Sequence, residues 1–240
     1  MILVLWDIDR TLLYTGDTDR QVYRELFEEV VGRPAERLPA RGTGVTMPMA
    51  VRELLRANAV EPERVEEFAQ RIVARMPTQL DRHHDDLVRK GRVMPGAPAA
   101  LAAVARDPET VPTVVTGNLQ GSAEIKLKAL GLDKHLDLAC GGYASDDAHR
   151  PALVRVAQER AGTRYHGDFT RDTTVIIGDS LEDIRTGREG GATVIAVASG
   201  TTSSQELVAA GARHVMPDLT DTQHLLALIT RCTTRTARPR

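Results

Sequence analysis

Six short apolar runs, each followed by a turn and then a helical stretch, restrict this 240-residue chain to a layered α/β architecture. The runs are Ile2–Trp6, Val111–Val115, Leu136–Ala139, Thr174–Ile177, Thr193–Val197 and a weaker His214–Met216. They are rich in β-branched residues and nearly continuous in hydrophobicity, as strands buried on both faces are. Helical patterns fall between them, over roughly 97–106, 121–130, 151–161, 181–189, 203–210 and 221–230. Such alternation predicts a doubly wound parallel sheet.

One long interval breaks the pattern. From about Asp17 to Arg89 no strand is evident. Val65, Phe68, Ile72, Val73 and Met76 share one helical face, and Val51, Leu54 and Leu55 share another. Gly32-Arg33-Pro34, Pro39 to Gly44 and Glu61-Pro62 punctuate the interval into about four helices. The expected organisation is therefore a core from residues 1–15 and 90–230, with a helical bundle inserted over 16–89. Residues 231–240, rich in Thr and Arg, read as a frayed tail.

Composition narrows the partners. A net charge of −2 and a pI near 6.4 supply no basic field for nucleic acid or anionic membrane. Cys140 and Cys232 make neither a metal spacing nor a disulfide framework. No apolar run reaches transmembrane length, and Met1 leads directly into a strand without a signal-peptide pattern. A cytoplasmic location, with no membrane partner, is expected; the oligomeric state is left open.

The chemistry concentrates at strand ends. The first strand runs into Asp7-x-Asp9-x-Thr11, and two carboxylates there are costly unless a cation or a reaction uses them. The second strand ends in Thr116-Gly117-Asn118, which offers a hydroxyl and backbone N–H groups to an anion or simply caps a helix. The fourth ends in Gly178-Asp179-Ser180-Leu181-Glu182-Asp183. Its carboxylates suit either a helix N-terminus or a hard cation such as Mg2+. Arg150, just before a helix, is a surface residue or a phosphate contact.

In this order and spacing, the four elements resemble the motifs of the haloacid dehalogenase superfamily, and the helical insertion resembles its α-helical cap. The segments Ala198-Ser199-Gly200, Glu206-Leu207 and Ala210-Gly211-Ala212 are similar to the phosphoglycolate phosphatase-like branch. The resemblance implies a Rossmannoid core and a Mg2+-dependent phosphatase acting on a small phosphorylated metabolite. It implies Asp7 as nucleophile, forming an aspartyl-phosphate, and Asp9 as acid–base. It implies metal binding by Asp7, the Asp9 backbone carbonyl, Asp179 and Asp183, phosphate binding by Thr116, Gly117, Asn118 and Arg150, and Thr11 as the residue orienting the first loop. A sugar phosphomutase or pyrophosphatase of the same superfamily is the alternative, and a non-catalytic phosphate-binding module is a further one.

Two positions depart from the family pattern. Arg10 stands where Gly is frequent and reads as a substrate- or cap-facing change. Arg150 stands for the usual Lys of the third motif, with Lys126 and Lys128 as competitors; only four of the 31 basic residues are Lys, which makes an Arg-for-Lys exchange natural. Within the insertion, Arg41, Thr43 and Thr46 form either a specificity loop or a plain interhelix turn. His83 and His84 are read as surface residues.

Overall fold

The computed structural model describes residues 1–40 and 42–233. Arg41 and most of the expected tail lie outside the described residues. Five strands of the main sheet follow the apolar runs closely: β1 (Ile2–Trp6), β4 (Thr110–Thr116), β6 (Thr174–Gly178), β7 (Thr193–Val197) and β8 (His214–Met216). With β5 (Gly142–Tyr143) they form a parallel sheet in the order β5-β4-β1-β6-β7-β8.

Side chains of β1 alternate across this sheet as its pleat requires. Val4 and Trp6 face a core built with α5 (Ala97–Ala105), α6 (Gln120–Ala129) and α10 (Thr222–Thr233). Leu3 and Leu5 face the opposite core, where Leu153, Val154, Ala157 and Ala161 of α7 (Ala152–Tyr165) pack. The remaining helices, α8 (Leu181–Gly190) and α9 (Ser204–Ala209), cover the β7 side through Ile184 and Leu207. Helices on both faces of a parallel sheet confirm the doubly wound α/β reading.

The run Leu136–Ala139 is not a strand. Asp137 accepts a hydrogen bond from Ala139 N, so the chain tightens into a 3-10 turn over Leu138–Cys140, and pairing with β4 resumes at Gly142. Pro112 of β4 fits the same detail. Its carbonyl accepts from Asp137 N, so the missing proline N–H faces a stretch where no strand pairs.

The insertion holds α1 (Thr18–Val31), α2 (Met47–Ala57), α3 (Pro62–Arg82) and α4 (His84–Lys90). Prolines in the first turns of α2 and α3 set φ without losing a needed N–H. Leu26 and Phe27, Val51 and Leu54, and Phe68 and Ile72 close a core of their own. His83 is not a free surface residue: its Nε2 lies 2.7 Å from Glu25 Oε2 and ties α3 to α1, while His84 is exposed. A short antiparallel ribbon, β2 (Leu13–Tyr14) with β3 (Arg92–Val93), flanks the insertion. No helix among the described residues is long and apolar enough to cross a membrane.

Strand order fixes where a site can form. The chain leaves β1 for β4 and β5 on one side, then returns to β6, β7 and β8 on the other. The carboxyl ends of β1, β4 and β6 therefore border the crevice at which open α/β sheets bind ligands.

Candidate active site

Asp7 continues β1 by one residue, its N–H donating to Ile177 O at 2.9 Å. That register holds the carboxylate at the mouth of the crevice, 5% exposed. The hydroxyl of Thr11 lies 3.2 Å from Asp7 Oδ2 and 3.1 Å from Asp179 Oδ1, so one side chain spans both strand ends. Asp183 sits one helical turn into α8 and is fully buried. Its Oδ2 accepts from Ser180 N at 2.9 Å and Ser180 Oγ at 2.6 Å. Its Oδ1 takes Arg150 Nη2 at 2.5 Å, and the same nitrogen reaches Asp7 Oδ1 at 2.6 Å.

Asp7, Asp179 and Asp183 thus bring carboxylate oxygens within 4.8 Å of one another. Burial and then the Asp183 charge push Asp7 well above its ordinary range, against the pull of Arg150. The same two causes push Asp179 up to about 7, with Thr11 opposing. Three buried carboxylates served by one guanidinium are short of positive charge. A hard divalent cation fits this all-oxygen donor set and would reverse the upward shifts.

This has a measurable consequence for protein stripped of divalent cations. Asp179 is raised in the folded state from 3.8 to about 7, so its stabilising contribution is full below pH 4 and is lost as pH rises through 7. The melting temperature in chelator is expected to fall behind that in excess Mg2+ progressively between pH 4 and pH 7.5. Melting curves at matched pH test this; a gap independent of pH contradicts it.

Asp9 occupies a different environment, with its side chain 40% exposed. Lys126 Nζ lies 3.0 and 3.1 Å from its two carboxylate oxygens, and Asn118 Nδ2 donates to Oδ2 at 2.7 Å. Lys126 also reaches Asp19 Oδ2 of α1 at 2.9 Å and Asn118 Oδ1 at 2.8 Å. Burial works against its ammonium, but Asp19 and Asp9 outweigh that and raise its pKa. Lys126 and Arg150 therefore do not compete for one place: Arg150 serves Asp7 and Lys126 serves Asp9. The Asp9 carboxylate is held by Lys126 and Asn118, apart from the cluster of Asp7, Asp179 and Asp183.

Thr116 is buried, and its Oγ1 accepts from Asn118 N at 3.2 Å and Asn118 Nδ2 at 2.8 Å. Gly42, Thr43, Gly44 and Val45, ahead of α2, line the same cleft as Asp7 and Asp9. Thr43 lines the cleft, but Thr46 does not: it is fully buried and donates to Ala148 O at 2.8 Å, anchoring the loop. Gly44 carries φ +71, its carbonyl accepts from Arg150 Nη1, and a Cβ there would lie 2.4 Å from Ser180 Oγ. Only glycine lets the loop approach so closely. Gly200 meets the same limit from the other side, since a Cβ would stand 1.6 Å from Asp179 Oδ2.

Arg10 adopts φ +68, a left-handed conformation that costs a non-glycine residue about 1 kcal/mol or more. A glycine at this position would escape that cost. Asp19 is the residue that sequence reasoning passed over, and Gly200 was read only as part of a family-like segment; the contacts of both are distant in the chain. Lys126 carried a weak signal as one of few lysines in an arginine-rich chain.

Residues 4–188 match the model of the haloacid dehalogenase-like hydrolases. No match is found among curated proteins. Among solved structures, a protein described as a predicted phosphatase from Clostridium acetobutylicum is 18% identical, with TM-score 0.71, over 94% of this chain and 98% of its own. A hydrolase from Pseudomonas syringae is 22% identical, with TM-score 0.69, over 95% and 99%. CbbY from Rhodobacter sphaeroides, in complex with phosphate, is 18% identical, with TM-score 0.68, over 92% and 96%. At these identities the likeness is one of fold.

Proposed function

Because the chain belongs to the haloacid dehalogenase-like hydrolases, we propose that it is a magnesium-dependent phosphatase that hydrolyses a small phosphorylated metabolite through an aspartyl-phosphate on Asp7. The observation that carries this reading is the separation of the first-motif carboxylates. Asp7 lies in the buried carboxylate cluster beside Arg150, while Asp9 stands half-exposed beside Lys126 and Asn118. This difference in surroundings supports a division of labour, with Asp7 attacking and Asp9 transferring protons.

In the first step Asp7 attacks phosphorus and the alkoxide leaves, taking its proton from Asp9. In the second step Asp9 removes a proton from water, which attacks the phosphorus of the aspartyl-phosphate and regenerates the Asp7 carboxylate. Lys126 and Asn118 hold Asp9 in one orientation through both transfers. Thr116 accepts two hydrogen bonds from Asn118, which leaves its own hydrogen for a phosphoryl oxygen. Among the described residues Arg150 Nε is buried without a hydrogen-bond partner, and it suits a second phosphoryl oxygen. Asp7, Asp179, Asp183 and the Asp9 carbonyl would hold Mg2+, which when bound supplies charge neutralisation between carboxylate and phosphate. The helical insertion over 16–89 acts as a cap on the core of 1–15 and 90–230, with the Gly44 loop as its contact to the site and Thr43 facing the substrate.

Hydrolysis of p-nitrophenyl phosphate tests the reading. Purified protein is expected to release nitrophenol in Mg2+, to lose more than about 95% of that rate in excess chelator, and to regain it when Mg2+ is restored. A rate unchanged by chelation contradicts it.

A further inference from the structure

Arg10 is held in its unusual conformation from both sides. Its N–H donates to Leu13 O at 2.6 Å, and its carbonyl accepts from Ser199 Oγ at 2.7 Å. Its guanidinium lies over the Tyr14 ring, 4.8 Å from the centroid, at the wall of the cleft that also contains Asp7 and Asp9. Among the described residues it forms no ion pair. Two other basic groups of the cleft are committed: Lys126 to Asp9 and Asp19, and Arg150 to Asp7 and Asp183. A cation parked on an aromatic face, with its hydrogen-bond donors unspent among the described residues, is available to a ligand.

Its place in the chain indicates which end of the ligand it meets. Arg10 directly follows Asp9, the residue assigned to the leaving oxygen. We propose that Arg10 is a specificity-determining residue that grips a second anionic group, a carboxylate or a phosphate, on the leaving group of the substrate. The substrate class is then a phosphomonoester of an acid, or a bisphosphate, in preference to an ester of a neutral alcohol. The proposal rests on the phosphatase reading above. A planar guanidinium can bond two oxygens of either anion at once, which a glycine at this position could not do.

The test compares three small esters in Mg2+: 2-hydroxyethyl phosphate, 2-phosphoglycolate and ethylene glycol bisphosphate. They share a two-carbon skeleton and differ in carrying a hydroxyl, a carboxylate or a second phosphate. In the wild type, kcat/KM for at least one of the two anionic esters is expected to exceed that for the neutral ester by about 10-fold or more. Arg10→Gly is expected to cut this ratio about 10- to 100-fold, mainly through KM, and Arg10→Lys to retain part of it. Glycine tolerates the positive φ; should that variant melt early, Arg10→Asn, also compatible with the left-handed region, replaces it. Which anionic ester loses more tells carboxylate from phosphate. If Arg10→Gly lowers all three equally, or the wild type shows no anionic preference, the proposal is overturned and Arg10 is only a structural partner of Tyr14. If the wild type hydrolyses neither these esters nor p-nitrophenyl phosphate, the phosphatase reading fails, and the proposal with it.

Discussion

Asp7→Asn is expected to lower kcat about 10⁴-fold or more while leaving the fold intact, because it removes the nucleophile without changing the shape of the side chain. The cost to stability should be small or of opposite sign. Burial and the neighbouring Asp183 disfavour the ionised form of Asp7, so a neutral amide relieves repulsion in protein stripped of metal. Arg150 keeps Asp183 as a partner at 2.5 Å, so it is not left as an unpaired buried charge. Melting temperature in chelator should therefore match or exceed that of the wild type. The stabilisation gained on adding Mg2+ should shrink, because one ligand has lost its charge. Lost activity with this melting signature separates removal of the nucleophile from unfolding. A variant retaining more than about a tenth of wild-type kcat contradicts the role given to Asp7.

Asp9→Asn has a different expected signature. General acid catalysis contributes about 10²- to 10⁴-fold, and most where the leaving group is a poor one. An alkyl phosphate, which releases a strongly basic alkoxide, should lose that full factor. Nitrophenolate leaves without a proton, so p-nitrophenyl phosphate should still phosphorylate Asp7. The second step then stalls, because no carboxylate takes the proton from water. Rapid mixing should show a burst of about one equivalent of nitrophenol per active site, followed by a slow phase. Lys126 is left beside a neutral amide, and it retains Asp19 at 2.9 Å. Equal loss on both substrates, with no burst, would mean that Asp9 acts through structure and not through proton transfer.

The sequence carried the sheet because its strands are buried on both faces and so stand out as continuous β-branched runs. Asp7, Thr116 and Asp179 were legible for a related reason: a polar residue directly after such a run must lie at a strand end. The exception, Leu136–Ala139, shows the limit of that signal. Apolar residues in a capped turn pack into a core as well as those of a strand, and the decisive Asp137 hydrogen bond is invisible to hydrophobicity. The ribbon of β2 and β3 is two residues long on each side, too short for any period. Lys126 shows a deeper gap. Its helix is plain in the sequence, yet its ion pairs join Asp9 and Asp19, which are 117 and 107 residues away. Nothing local to Lys126 specifies those partners; the strand order and the packing of α1 do. Thr46 and His83 have the same lesson on a smaller scale, each turned from a presumed exposed role to an anchor by a contact across the fold.

The central claim is a covalent bond between phosphorus and Asp7. Borohydride quenching of the protein during turnover reduces an acyl phosphate to an alcohol, and trypsin then releases Asp7 in the peptide ending at Arg10. In Asp9→Asn, where the intermediate should accumulate, mass spectrometry is expected to find homoserine at position 7 and the introduced asparagine unchanged at position 9. A full nitrophenol burst with unmodified Asp7, or with the reduced residue at another position, would contradict the account.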